Sequence, residues 1–251
     1  MNETWLYWVG CAGAFDQRNQ QVARAFTALL NKAGVPFITL GTDERCCGDP
    51  ARRLGNEYLF QSLADENRAA IAATGVEHVV TACPHCYRVL KHEYGRPVYE
   101  VLHHSELLAR LLADGRLVCA PESREYGRTA YHDSCYLGRY EDIYEEPREV
   151  LRAIRGLDLV ELPRTRSNSF CCGGGGGRVF LEESEGERIN HLRTDEAIEV
   201  AASTVVTACP YCMTMLSDGA KDKGDAFAVL DLAEVLVQQA GARQGAAAVD
   251  A

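Results

Sequence analysis

The feature of this sequence that most constrains its fold is a cysteine pattern that occurs twice. Ten of the eleven cysteines form two sets of five in the same order: a single cysteine, a Cys-Cys-Gly triplet and a Cys-Pro-x-Cys motif. Each member lies 124 to 126 residues from its counterpart, so the chain is an internal duplication. Only Cys119 stands outside the pattern. The first set is Cys11, Cys46, Cys47, Cys83 and Cys86, and the second is Cys135, Cys171, Cys172, Cys209 and Cys212.

Strands and helices are predicted to alternate around these cysteines. The alternation predicts an α/β fold of two pseudo-symmetric repeats of strand–helix units with parallel sheets. Because the cysteines follow predicted strands, each set should converge at the carboxyl ends of the strands, where such sheets hold ligands. Strands are predicted at 4–9, 35–40, 78–82, 129–133, 157–162 and 203–208, and helices at 17–33, 51–73, 147–155 and 183–201.

The duplication also predicts how the chain divides. We expect a first repeat over residues 1–114, a connector over 115–128 and a second repeat over 129–240. The small, weakly patterned residues 241–251 are expected to be a frayed tail.

Composition excludes several classes of protein. The net charge is −10, from 26 basic and 36 acidic residues, which argues against nucleic-acid binding. No apolar run approaches the ~18 residues of a membrane span, and the first residues lack the basic region of a signal peptide. We therefore expect a cytoplasmic protein without a membrane span of its own, reaching the inner face of a membrane only through a partner.

The spacing of the cysteines favours iron–sulfur chemistry. The side chains of adjacent cysteines diverge, which suits a cluster with several irons better than one tetrahedral ion. Five thiolates also exceed the four of a zinc site or an ordinary cubane cluster. We expect one cluster in each half, and the spacing leaves its nuclearity open. Gly48 and Gly173 would let the backbone approach the cluster, and the N–H groups of the run that continues through Gly174 and Gly175 would form an anion-binding nest.

Three alternatives compete with this interpretation. Structural disulfides are disfavoured by the composition and the missing signal peptide. A thioredoxin-like dithiol would suit CPHC and CPYC but would leave six matched cysteines unexplained. Zinc is the third alternative. Outside the two sets, His132 is either a hydrogen-bond donor to a cluster or a polar residue that ends a strand, and Cys119 is expected to be a buried structural thiol.

The two cysteine sets resemble the cysteine-rich CCG domain over roughly residues 4–240. This domain occurs in pairs in one of the subunits of heterodisulfide reductase and in iron–sulfur subunits of lactate oxidation systems. The resemblance implies that each set of five cysteines holds a non-cubane [4Fe-4S] cluster. The segments WVGCAGAFDQRN, YHDSCYLGRY and FCCGGGGGRVFLEE are most similar to the C-terminal part of bacterial electron-transfer-flavoprotein:menaquinone oxidoreductase-type proteins.

That resemblance implies an iron–sulfur electron-transfer component of an oxidoreductase. It would relay electrons from electron-transfer flavoprotein, or another flavin subunit, towards a membrane quinone-reducing subunit. One alternative is a heterodisulfide reductase-like subunit that reduces a disulfide, although Tyr136 stands where some relatives carry a histidine. Others are an iron–sulfur subunit of a lactate oxidation system and a structural metal-binding or assembly protein.

Overall fold

A computed structural model describes residues 3–120, 126–181 and 185–242 of the chain. Its first half begins with a wholly buried strand, WLYW, and continues as alternating strands and helices. In chain order the elements of this half are β1 (Trp5–Trp8), α1 (Gly10–Phe15), α2 (Gln17–Lys32), β2 (Phe37–Ile38), α3 (Asp49–Arg53), α4 (Glu57–Thr74), β3 (His78–Thr81), α5 (Pro84–Arg88), β4 (Glu100–His103), α6 (His104–Ala113) and β5 (Leu117–Cys119).

The second half repeats this order with one exception: where the first half has α3, the described residues of the second half have a short 3₁₀ turn, Arg178–Phe180. A π-helical turn over Val89–Glu93 extends α5, so that the pair corresponds to one longer helix, α10, in the second half. The elements are β6 (Arg128–Tyr131), α7 (Gly138–Glu141), α8 (Glu145–Ala153), β7 (Asp158–Val160), α9 (Ile189–Glu199), β8 (Thr204–Thr207), α10 (Pro210–Asp222), β9 (Ala228–Asp231), α11 (Leu232–Val237) and β10 (Ala240–Ala242).

Each half contains a four-stranded parallel sheet. The strand order is β2-β1-β3-β4 in the first sheet and β7-β6-β8-β9 in the second, so the two topologies are the same. Parallel neighbours require crossover connections, and the helices between the strands provide them. The predicted fold of two α/β repeats with parallel sheets is thereby confirmed.

The structure differs from the prediction in local detail. The helix predicted over 51–73 is two helices, α3 and α4, because Gly55 adopts a φ of +88° between them and Asn56 starts a new helix by accepting a hydrogen bond from Leu59 N at 3.0 Å. Strand β2 has only two residues, against six predicted.

The segment predicted as a connector also contains a strand. Strand β5 lies within it and pairs in antiparallel fashion with β10, at the start of the predicted tail, so that Cys119 lies opposite Ala240. Residues 243–251 of that tail lie outside the described part of the chain. The proposed domain boundaries therefore remain a prediction.

The two halves pack against each other by reciprocal helix contacts. Helix α2 of the first half packs on α11 of the second, and α8 of the second half packs on α6 of the first. Because α2 corresponds to α8 and α6 to α11, this exchange has pseudo-twofold symmetry. Among the described residues, no helix is long and apolar enough to cross a membrane.

Candidate metal centres

The cysteines lie where the predicted parallel sheets end. Cys11 follows β1 in the first turn of α1, and Cys83 follows β3 as the residue that precedes α5. Cys86 is in the first turn of α5, while the Cys46–Cys47 pair occupies the loop between β2 and α3. The second half has the same arrangement, with Cys135 after β6, Cys171 and Cys172 in the loop before α9, and Cys209 and Cys212 at the start of α10.

The sulfur atoms of each set form one continuous chain of contacts. In the first set Cys46 contacts Cys11 and Cys47, Cys47 contacts Cys86, and Cys86 contacts Cys83. The second set has the same order, as Cys135, Cys171, Cys172, Cys212 and Cys209. In both sets the first two cysteines of this order are half-buried and the other three are buried. Each site therefore has one edge towards the surface.

The ionisation of these thiols shows what kind of ligand the sites fit. Hydrogen bonds from the thiols of Cys11 and Cys47 lower the pKa of Cys46 to about 3, and Cys135 and Cys172 likewise lower the pKa of Cys171 to about 2. The same hydrogen bonds raise the pKa of Cys11 and of Cys135 above the ordinary thiol range. Like charges this close cannot all form in a buried site without a cation. A multi-iron centre supplies that charge, so the donor sets fit an iron–sulfur cluster.

The glycines of the two triplets direct backbone N–H groups at sulfur. Gly48 N donates to Cys46 Sγ at 3.4 Å, and Gly173 N donates to Cys171 Sγ at 3.2 Å. In the second site Gly174 N adds a bond to Cys172 Sγ at 3.5 Å. Gly175 differs from these glycines because the hydrogen bond described for it involves its carbonyl, which accepts from Arg178 N. The glycine run therefore contributes two donors to the second site, against the single one from Gly48 in the first.

One side chain of the first repeat reaches the second site. His85, the variable residue of the first Cys-Pro-x-Cys motif, is 3% exposed and hydrogen-bonds to Cys209 of the second set. Its Nδ1 lies 2.8 Å from Asp49 Oδ2. Burial acts to lower the pKa of His85, but the bonds to Asp49 and Cys209 outweigh burial and raise it to about 10.

The corresponding residue of the second repeat makes the reciprocal crossing. Tyr211 lines the cavity beside the first site, together with Cys11, Cys47 and Cys83. The two crossing rings meet, because the centroids of His85 and Tyr211 lie 4.4 Å apart. This exchange, in which His85 and Tyr211 each reach the site of the other repeat, was not predicted from the sequence. Its only sequence signal is that the two otherwise matching motifs differ at this position, CPHC against CPYC.

Tyr136 is part of the same ring stack. Its ring lies 3.7 Å from that of His85, centroid to centroid, and its side chain is buried. The residue that follows Cys135 therefore packs at the junction of the two sites.

His132, left open by the sequence, lies in the second site. It is 1% exposed, and one of its ring nitrogens lies within 4.8 Å of the sulfur atoms of Cys172 and Cys212. Arg193 Nε donates to His132 Nδ1 at 3.0 Å. Burial and the Arg193 charge lower the pKa of His132 to about 3, so the ring is neutral and carries its proton on Nε2. That nitrogen has no partner among the described protein atoms.

Acidic side chains border the first site instead. Glu44 accepts hydrogen bonds from Val9 N at 3.0 Å and Gly10 N at 2.6 Å, and it lines a surface pocket with Cys11 and Cys46. Asp231 of the second repeat lines the cavity beside the first site. Asp231 also pairs with His104 at 3.1 Å, so Glu44 is the acidic group by which the surroundings of the two sites differ.

Cys119 lies apart from both sets. It is half-buried in β5, and burial raises the pKa of its thiol. The expectation of a thiol outside the metal centres agrees with this position, but Cys119 is less buried than expected.

Comparison with known proteins places these observations in a family. A probable iron–sulfur-binding oxidoreductase, FadF, of Bacillus subtilis is 46% identical over 238 residues, covering 93% of this chain and 34% of that protein. An EtfAB:quinone oxidoreductase of Syntrophomonas wolfei is 45% identical, covering 92% and 34%. One subunit of the dihydromethanophenazine:CoB–CoM heterodisulfide reductase of Methanosarcina barkeri is 31% identical, covering 94% and 59%.

These similarities confirm the predicted resemblance to iron–sulfur oxidoreductases. The chain spans about a third of the length of the first two relatives, so their matching part is one segment of a larger protein. The family described as the cysteine-rich domain, CCG, matches residues 5–91 and 129–217, one copy in each repeat. The chain therefore belongs to the CCG cysteine-rich domain family and contains two copies of that domain.

Proposed function

We propose that this chain holds two iron–sulfur clusters, one in each repeat, and passes electrons between them. The ten paired cysteines would be the ligands, five for each cluster, and each cluster would be a [4Fe-4S] cluster of the non-cubane type. The clusters would supply one-electron redox chemistry. The observation that carries the proposal is that both sets bring five sulfur atoms together in the same order of contacts.

The protein's own residues would tune and protect these centres. The N–H groups of Gly48, Gly173 and Gly174 would offset negative charge on the sulfur ligands. Three of the five cysteines in each set are buried, which limits access of water and oxidants. The half-buried edge of each set would be the side for exchange with a partner.

The proposed electron donor is electron-transfer flavoprotein or another flavin subunit, and the proposed acceptor is a quinone-reducing membrane subunit. The similarity to an EtfAB:quinone oxidoreductase supports both. The chain would then work at the cytoplasmic face of the membrane, next to that acceptor.

The first test is cluster assembly. Protein reconstituted anaerobically should contain iron and acid-labile sulfide in equal amounts. Cys47→Ser and Cys172→Ser should each lose about half of the iron, because each removes a ligand of one of two sites. Cys119→Ser is the matched control and should keep full iron content. Stoichiometric zinc without sulfide would contradict the proposal, and so would an equal iron loss in Cys119→Ser.

The second test is electron transfer. Reduced electron-transfer flavoprotein, mixed anaerobically with the reconstituted chain, should bleach the cluster absorption, and the Cys47→Ser/Cys172→Ser double variant should not respond. Failure of reduced flavoprotein to reduce intact clusters that dithionite does reduce would exclude this donor.

Reduction of a disulfide is the second candidate function. The similarity to a component of a heterodisulfide reductase supports it, as does the cavity lined by Cys11, Cys83 and Tyr211. Cleavage to two thiols would consume two electrons and two protons. Thiol release from a disulfide by the dithionite-reduced chain, absent in Cys47→Ser, would favour this candidate.

A further inference from the structure

The two metal centres have matching cysteines but different surroundings, and we propose that these surroundings hold the second centre at the higher reduction potential. This inference rests on the proposed function in assuming one cluster in each repeat, and it adds the direction in which an electron moves between them. Reduction adds negative charge to a cluster, so hydrogen-bond donors and cations at its ligands favour the reduced form, and anions oppose it.

Hydrogen bonds to the ligand sulfurs differ between the sites. Within the described chain, Gly48 N donates to Cys46 in the first site. In the second, Gly173 N and Gly174 N donate to Cys171 and Cys172.

His85 adds a further donor to the second site. Its Nδ1 bonds to Asp49 Oδ2 at 2.8 Å and its ring also hydrogen-bonds to Cys209; because a metal-bound thiolate can only accept, His85 would be the donor to Cys209. This donor belongs to the first repeat by sequence but acts on a ligand of the second.

His132 supplies the second site with another N–H group. Arg193 Nε can only donate, so His132 Nδ1 accepts and the proton is on Nε2, which has no partner among the described protein atoms. The equivalent residue of the first repeat, three positions before Cys11, is Trp8. Its buried indole N–H also lacks a partner in the described structure. Arg193, which orients the His132 ring, is itself paired with the Glu196 carboxylate, so this pair of positions does not separate the two sites.

Charges follow the same division. Glu44 lies beside Cys11 and Cys46 and accepts from backbone N–H groups, while Arg45 of the same pocket pairs with Glu66 at 3.3 Å. In the second site Arg193 is paired with Glu196, and the nearby carboxylate Asp133 is paired with Arg148 at 2.7 Å, so its buried charges are compensated. One electron would therefore pass favourably from the first cluster to the second. In this step the first cluster is oxidised and the second is reduced. The second site is then the exit towards the acceptor.

The test is an EPR-monitored redox titration of the reconstituted chain at pH 8.5. The variants Cys47→Ser and Cys172→Ser, each with one remaining cluster, assign the signals to the sites. We expect the second site to be reduced first as the potential is lowered. His85→Leu should lower the potential of the second site by more than it changes that of the first, whose ligands Cys83 and Cys86 flank His85, and Glu44→Gln should raise that of the first. Both changes reduce the difference in reduction potential between the two sites.

Two further variants keep the test decisive. His85→Gln retains a hydrogen-bond donor, so its shift should have the same sign and be smaller, and it covers the case in which His85→Leu fails to fold. Tyr211→Phe changes the matching position of the other repeat and should leave the second site's potential unchanged. Equal or reversed potentials, or a His85→Leu shift confined to the first site, would overturn the inference. Absence of any cluster would instead contradict the proposed function.

Discussion

Gly48, beside the first candidate metal centre, occupies a position where only glycine fits. Its φ is +87°, a conformation that residues with a side chain rarely adopt. A Cβ at this position would lie 2.8 Å from Phe60 Cδ2, closer than real contacts allow. The backbone therefore has to turn in a space closed by an aromatic ring, and the same turn directs Gly48 N at Cys46 Sγ.

Gly48→Ala should therefore cost more stability than an alanine at an equally twisted but open position. Gly55 is the matched control, with a φ of +88° and no atom within 4 Å of a Cβ. We expect Gly55→Ala to cost about 1–2 kcal/mol for the left-handed backbone and Gly48→Ala about 2–5 kcal/mol, because overpacking against Phe60 adds to it. Urea unfolding of the iron-free protein measures both, and equal costs would contradict the role of Phe60.

At the scale of the elements, the start of α11 connects the two repeats. Asp231 caps this helix by accepting from Ala233 N at 2.8 Å, and Glu234 completes the cap by accepting from Asp231 N. The same Asp231 oxygen lies 3.1 Å from His104 Nε2, at the start of α6 of the first repeat. A local capping motif is thus also a buried contact between the halves.

Asp231→Ala should destabilise the protein by about 2–4 kcal/mol, since it removes a helix cap and leaves the buried His104 without its acceptor. Asp16→Ala is the control, because Asp16 is an exposed cap of α2 whose carboxylate accepts, among the described hydrogen bonds, from Asn19 N and Nδ2. Its loss should cost about 1 kcal/mol. Thermal and urea denaturation of the iron-free variants compare the two, and equal losses would show that the His104 contact contributes nothing.

At the scale of the whole molecule, both repeats contribute to the larger of two hydrophobic clusters among the described residues. The largest cluster of buried apolar residues includes Trp5 and Phe26 from the first half and Tyr131 and Leu236 from the second. Ion pairs cross the same boundary, such as Arg18 with Glu234 at 2.7 Å. Neither half would bury its apolar surface without the other, so the duplicated chain should unfold as one unit.

Unfolding of the iron-free protein should therefore follow a single transition. Both tryptophans of the chain, Trp5 and Trp8, lie in β1, so their fluorescence reports on the first repeat, while far-UV circular dichroism reports on both. We expect the two signals to have the same urea midpoint. Separate midpoints would mean that the repeats unfold independently.

Much of this architecture follows from the sequence alone. The duplicated cysteine pattern and the strand–helix alternation predicted two α/β repeats, because a parallel strand and its crossover helix leave their periodicity in a short stretch of chain. The grouping of the cysteines also follows, since carboxyl ends of parallel strands meet at one edge of a sheet. Which cysteines come together was therefore readable from their positions relative to the strands.

Other features depend on how the repeats pack. His85 reaches Cys209, and β5 pairs with β10, across more than 110 residues of chain. No local pattern marks such pairs, because docking of the two halves decides which side chains meet. The sequence by itself determined two matching sets of five cysteines. Only the tertiary structure decided that His85 and Tyr211 cross between them, because that exchange exists only once the two repeats share a core.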